Sequence, residues 1–249
     1  MAIPPKPYKE YIQSNIEDYV AHYRKFVGNE PEMTKLLRKL LENRIDTSLA
    51  YRLLDIGCGN GNTMYHLNSH FSHWNYTGID VVQQLVEEGN RLFAELNNIE
   101  LRVGDAYTSD REFSQPFDIV LLWRVLSGLE DWQRAIASAH KTTRKGGHLI
   151  IATLLNENNV DIAMTRRDYS APGEIKEAPL RIFSLPKFKE FCKSLGIQDF
   201  FIQPFEMPIH LPRPEKGLST FTVQLEDERY LQISGGALID HWKIIHIVV

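Results

Sequence analysis

Ten residues constrain this chain more than any others: Leu53-Leu54-Asp55-Ile56-Gly57-Cys58-Gly59-Asn60-Gly61-Asn62. An apolar run fit for a buried strand ends in an acid, a glycine-rich turn follows, and a helix starts at its far side. Glycine lets a ligand approach the backbone where a side chain would block it. The free N–H groups at the head of the helix then face whatever binds there. The segment therefore predicts a β-α junction that holds a nucleotide-like cofactor.

The spacing says which kind. A dinucleotide fingerprint asks for G-x-G-x-x-G, whereas Gly57, Gly59 and Gly61 run as G-x-G-x-G and Asn occupies position 62. Downstream, Trp74-Asn75-Tyr76-Thr77-Gly78-Ile79-Asp80 reads as a second strand ending in an acid. Asp80 lies about 20 residues beyond the glycines, where a carboxylate accepts ribose hydroxyls. Ile99 to Gly104 alternates like a third strand and runs into Asp105-Ala106. Phe117 to Trp123 is a fourth, nearly all apolar, as suits a central parallel strand. Lys145-Gly146-Gly147 reads as a turn before a fifth strand over 147–154.

Each piece also has a plainer reading. Asp80 suits the N-cap of a following helix, Asp105 suits a turn, and Gly146-Gly147 suits a turn after the helix rich in alanine. The conjunction in register carries the argument. Residues 50 to 155 resemble the class I S-adenosylmethionine (SAM)-dependent methyltransferases. The resemblance implies a doubly wound α/β fold with a mostly parallel seven-stranded sheet. It also implies SAM as cofactor, with S-adenosylhomocysteine (SAH) as product. On that resemblance Asp55 holds the SAM amino group, directly or through water, and Gly57, Cys58, Gly59 and Gly61 line the methionine and ribose. Asp80 and Val81 serve the ribose, Asp105 and Ala106 serve the adenine, and a carbonyl of Leu122 or Trp123 receives the amino group. Two rival readings remain open: a non-catalytic SAM- or SAH-binding protein that acts through a partner, and a nicotinamide-dependent oxidoreductase, which Asn62 disfavours.

The 249 residues fit one α/β domain with elaborations. We expect an N-terminal helical lid over 1–45 and the cofactor domain over 46–249, with insertions at 155–182 and 207–240 near the acceptor. Residues 1 to 8 read as a loose arm. One helix from Tyr8 to Val27 and another from Glu32 to Asn43 follow from their three- and four-residue apolar spacing. Tyr8, Tyr11, Tyr19 and Tyr23 are candidates for the lid over the cofactor, Tyr11 and Tyr19 foremost; the same tyrosines suit an amphipathic face packed on the core. The segment 155–182 reads as a polar excursion beside the carboxyl ends of the sheet. Ser184 caps a helix that has Pro186 in its first turn and stops at Gly196. Segments 219–225 and 229–234 read as a hairpin, and 242–249 as the antiparallel strand inserted beside the fifth.

The chain carries 28 basic and 32 acidic residues, a formal net charge of −4, which argues against a large nucleic-acid footprint. Cys58 and Cys192 lie far apart and form no C-x-x-C, so neither a disulfide framework nor a metal site is expected. No signal-peptide core and no membrane span are read, which predicts a cytoplasmic protein without a membrane partner. A hairpin edge leaves a homodimer open.

The acceptor is expected to be a small metabolite or sugar-type molecule, methylated on O or N. The motifs of amino-methylating nucleic-acid enzymes, cytosine C5 enzymes, arginine methyltransferases and metal-dependent catechol enzymes are all missing. Arg124, directly after the fourth strand, is a candidate to orient an acidic acceptor or the SAM carboxylate. Arg166, Arg167 and Tyr169 are candidates to clamp a phosphate or carboxylate. Among nine histidines, His210 and His241 are the candidate bases, since the C-terminal part can reach an acceptor.

Overall fold

The computed structural model describes residues 8–169, 175–215, 219–235 and 237–249, without the side chains of Tyr8 and Ser14. The expected loose arm before Tyr8 lies outside them. Three N-terminal helices, α1 (Tyr8–Ser14), α2 (Ile16–Arg24) and α3 (Glu32–Arg44), precede the alternating part of the chain. The single helix expected from Tyr8 to Val27 is thus two. Asn15 breaks it: its Nδ2 donates to the Tyr11 carbonyl at 2.8 Å, and a side chain bonded back to the backbone competes with the helical ladder.

The alternation that follows is β1 (Arg52–Ile56), α4 (Asn62–Asn68), β2 (Asn75–Asp80), α5 (Gln83–Leu92), β3 (Ile99–Val103), α6 (Ser109–Glu112), β4 (Phe117–Trp123), α7 (Trp132–Thr142) and β5 (Thr143–Asn156). A hairpin of β6 (Ile162–Asp168) and β7 (Lys176–Ser184) comes next. The chain ends with α8 (Leu185–Ser194), β8 (Phe200–Pro204), the small hairpin β9 (Phe221–Gln224) and β10 (Tyr230–Ile233), and β11 (Trp242–Val248). The main path of the sheet runs β3-β2-β1-β4-β5-β11-β8, with β11 antiparallel to both neighbours. These are the seven expected strands, with the last one inserted beside the fifth.

Successive residues of the central strands feed opposite cores, as a two-residue period demands. Leu53, Leu121, Ile150 and Ile244 join the core under α3 and α4, while Leu54, Leu122, Ile151 and Ile245 join the one under α7 and α8. Strand order reverses between β1 and β4, and open α/β sheets bind ligands outside the strand ends at such a point.

Two expectations need correction. The excursion at 155–182 is not irregular: it holds the β6–β7 hairpin, and β7 also pairs with Leu155 and Asn156 at the extended end of β5. Part of the polar pattern that hid it lies on the solvent face, where Arg167 and Glu177 face each other across the ladder at 2.6 Å, while Arg166 lines a cavity. Likewise Lys145-Gly146-Gly147 is not a turn before the fifth strand but a bulge inside it. Pairing with β4 shifts register between Phe117–Thr143 and Ile119–His148. The helix after Ser184 is as expected, with Ser184 Oγ accepting from Lys187 N.

Candidate functional site

A cavity of about 380 Å³ opens outside the carboxyl ends of β1, β2 and β4, within the range of small-molecule sites. The loop after β1 forms its floor. Gly57, Gly59 and Gly61 take φ of 75°, 57° and 83°, a left-handed run that L side chains resist. The loop is tied to β2 by the Gly57 and Cys58 N–H groups, which donate to the Ile79 carbonyl at 2.7 and 3.0 Å.

Asp55 and Asp80, at the ends of adjacent strands, both line the cavity. Asp80 accepts from Gly59 N and Val82 N, each at 2.9 Å, so this carboxylate is tied to the glycine loop and to the head of α5. Asp55 is 1% exposed, and its Oδ1 has no hydrogen-bond partner. Burial, and then the charge of Asp80, push the Asp55 carboxyl well above its usual range. Burial raises Asp80 as well, against the pull of its backbone donors. An acceptor atom left without a donor in such a place costs free energy unless a ligand satisfies it. A cation facing that oxygen answers both the unpaired atom and the displaced titration.

Val81, Asp105, Ala106, Cys58 and Trp123 complete this part of the wall. Asp105 Oδ1 accepts from Tyr107 N at 2.9 Å, which sets the turn after β3. Leu122 is fully buried and does not line the cavity, and neither do Gly59 and Gly61. Gly61 packs instead: a Cβ there would meet Leu101 at 3.1 Å. Gly59 lies under α2, where a Cβ would meet the Tyr23 ring at 2.9 Å.

The N-terminal side of the wall comes from α2 and the residues just after it. Tyr19, His22, Tyr23 and Phe26 line the cavity, with Ile12 of α1. Asn62 Nδ2 donates to the Tyr23 carbonyl at 2.7 Å, and His66 Nε2 lies 2.6 Å from the Phe26 carbonyl. Arg24 meets Glu88 of α5 at 2.6 Å. Tyr11 is not on the cavity wall; it packs with Ile12, Val82 and Leu85, the amphipathic role that its spacing also allowed.

On the other half of the sheet, past the switch point, Arg124, Arg166, Asp240 and Trp242 line the cavity. Arg124 holds φ 66° at the end of β4, with its N–H bonded to the Ala152 carbonyl at 3.0 Å. Strain of this kind at a strand end is characteristic of functional sites. Its guanidinium sits 5.3 Å from the centre of the Trp242 ring. Arg166 is on the wall, whereas Arg167 is engaged with Glu177 and Tyr169 is exposed. Alternation along β6 separates Arg166 from Arg167, and Tyr169 lies just past the strand.

The two histidines singled out from sequence are not on the wall. His210 is exposed beside Thr222, His241 is exposed next to Trp242, and the histidine that does line the cavity is His22. Asp240 and Ser234, both on the wall, carried no sequence signal, since each stands alone in a turn-rich stretch.

Residues 54–149 match the family model described as a methyltransferase domain. They run from within β1 to the middle of β5, with the glycine loop and all three acids. This part of the chain is similar to a methyltransferase domain. The chain is 26% identical over 170 residues to a 27-O-demethylrifamycin SV methyltransferase of Amycolatopsis mediterranei, covering 67% of this chain and 61% of that one. It spans about half the length of the curated relatives it matches. Among solved structures it shares the fold of a Burkholderia thailandensis 1,6-didemethyltoxoflavin-N1-methyltransferase, at 16% identity and TM-score 0.56 over 100% of this chain and 92% of that one. The cyclase SpnF also has the fold, at 23% identity and TM-score 0.53 over 67% of this chain and 59% of that one. No helix among the described residues is long and apolar enough to cross a membrane.

The chain's residues fit SAM on their own evidence. The donorless Asp55 Oδ1 suits an ammonium, and the positive-φ glycine loop gives backbone access.

Proposed function

We propose that this chain transfers a methyl group from SAM to an O or N atom of a small metabolite or sugar-type acceptor held in the cavity. The observation that carries the reading is the buried, donorless Asp55 carboxylate beside Asp80 and the left-handed glycine loop. SAM supplies an electrophilic methyl on a sulfonium. The chain's part is to hold both molecules in line and to manage one proton.

In this reading Asp55 takes the amino group, and Gly57 and Cys58 line the methionine and ribose. Asp80 and Val81 take the ribose, Asp105 and Ala106 the adenine, and Tyr19 and Tyr23 cover the cofactor. Leu122 and Tyr11 keep structural roles. The N-terminal 1–45 act as lid, and the insertions at 155–182 and 207–240 supply acceptor contacts. Asp240 and His22 are the titratable side chains on the wall nearest Arg124 that remain for the acceptor's proton. The relatives named for a rifamycin and a toxoflavin precursor support a small acceptor, as does a cavity of about 380 Å³. The reaction runs in the cytoplasm.

A shared fold does not fix the reaction, as the cyclase shows. The test therefore has two parts. Isothermal titration of the chain with SAM, SAH and NADH comes first, with Asp80→Ala alongside. Micromolar adenosyl binding, weakened about tenfold or more in the variant and absent for NADH, is expected. Methyl release from labelled SAM with candidate acceptors then separates transfer from binding. NADH binding without adenosyl binding overturns the reading.

A further inference from the structure

The half of the cavity beyond the switch point holds more positive charge than the chain balances. Arg124 and Arg166 line it together with a single carboxylate, Asp240. With Asp240 ionised, two guanidiniums against one carboxylate leave one positive charge over. Burial favours the neutral form of Asp240, which widens the imbalance, although the fields of Arg166 and Arg124 pull the other way.

The donors are also idle. Arg166 Nε is buried with no hydrogen-bond partner. Ser234 is 3% exposed, lines the cavity, and its Oγ has no partner. Arg124 rests on the Trp242 ring instead of a carboxylate, held there by a left-handed backbone that no glycine relieves. Asp240 is tied to the neighbouring Gln232, whose Nε2 donates to its Oδ2 at 3.3 Å. Buried polar groups are nearly always satisfied, and Arg166 Nε and Ser234 Oγ are buried donors without a partner on this wall, while Arg124 reaches it from an exposed position. A guanidinium presents a planar fork of donors that matches carboxylate and phosphate oxygens.

We propose that the methyl acceptor carries an anionic oxygen group, a carboxylate or a phosphate, seated on Arg166 with Ser234 and Arg124 beside it. The inference rests on the methyltransferase reading and adds the acceptor's charge to it. The cofactor is held on the acidic half of the sheet, by Asp55, Asp80 and Asp105. The acceptor is recognised on the basic half. Arg166 is a specificity residue, set on the inserted hairpin and not on the family's core strands.

The test uses the full chain saturated with SAH, titrated calorimetrically with benzoate, phenyl phosphate and the neutral isostere benzamide. One or both anions bind and benzamide does not; which anion binds tells carboxylate from phosphate. Arg166→Gln weakens the anion about tenfold or more, Arg166→Lys weakens it less, and both keep wild-type SAH affinity. Ser234→Ala weakens the anion severalfold and serves as the second variant should Arg166→Gln lower the melting temperature. The proposal is overturned if neither anion binds, if benzamide matches the anions, or if Arg166→Gln leaves anion affinity intact. A folded Arg166→Gln protein that loses SAH instead assigns the arginine to the cofactor carboxylate and likewise overturns it. Loss of SAH binding by the wild-type chain strikes the methyltransferase reading itself, and is read before any anion is added.

Discussion

At Asp55 the chain carries a carboxylate that its own fold does not satisfy. Burial raises its carboxyl well above the usual range, and a raised acid costs stability once the pH exceeds its unfolded value. Asp55→Asn removes that charge. We expect the ligand-free variant to melt higher at neutral pH, by about 2–4 °C for each kcal/mol regained in a chain of this size. SAH binding falls about tenfold or more in the same variant, read by calorimetry. The pH dependence has a definite sign: a ligand ammonium favours the ionised acid, so wild-type affinity weakens toward acid pH. In Asp55→Asn that slope flattens. A variant that melts no higher, and binds SAH as well as wild type, refutes the role. Asp55 was legible from sequence because an acid before alternating glycines is a local pattern. Arg166 stood in the same sequence beside Arg167, and only the strand's alternation told them apart.

At the scale of elements, α2 and the turn after it are tied down by side chains from α4. Asn62 Nδ2 and His66 Nε2 reach the carbonyls of Tyr23 at the end of α2 and of Phe26 just beyond it, at 2.7 and 2.6 Å. Asn62→Ala removes one of these ties, worth about 0.5–1.5 kcal/mol. Hydrogen exchange over α2 is expected to quicken several-fold, with little change in the central strands. Unchanged protection of α2 would show that it is held by its tyrosines alone. The break at Asn15 and the β6–β7 hairpin were not legible, for related reasons. Asn15 acts through a bond to its own backbone, which apolar spacing does not report. The hairpin carries polar residues on both faces, Arg167 outward and Arg166 toward the cavity, and pairs with the end of β5. Helix α8 was legible because its cap, its proline and its terminal Gly196 are all local signals.

At the scale of the whole molecule, the sheet carries a titrating pair far from the cavity. His148 Nδ1 and His246 Nε2 lie 2.9 Å apart on the paired strands β5 and β11. Burial, followed by the nearby charges of His148 and Arg44, pulls His246 down to about 4. Its unfolded value is 6.5, so between the two the unfolded chain binds the extra proton. Stability is therefore full above pH 6.5 and falls as the pH drops toward 4. Thermal melts across this window are expected to show that decline, and His246→Gln to flatten it. A pH slope left unchanged by His246→Gln contradicts the assignment, since the raised Asp55 contributes with the opposite sign in the same window. The sequence by itself determined the order of strands and helices, the cofactor loop and its acids, because these are written in short-range periodicity and spacing. The tertiary structure alone decided which of the candidate residues share the cavity wall. Arg124, Arg166, and Ser234 with Asp240 come from three separate stretches of chain, and only the closing of the sheet by β11 and the placement of the two hairpins bring them to one wall.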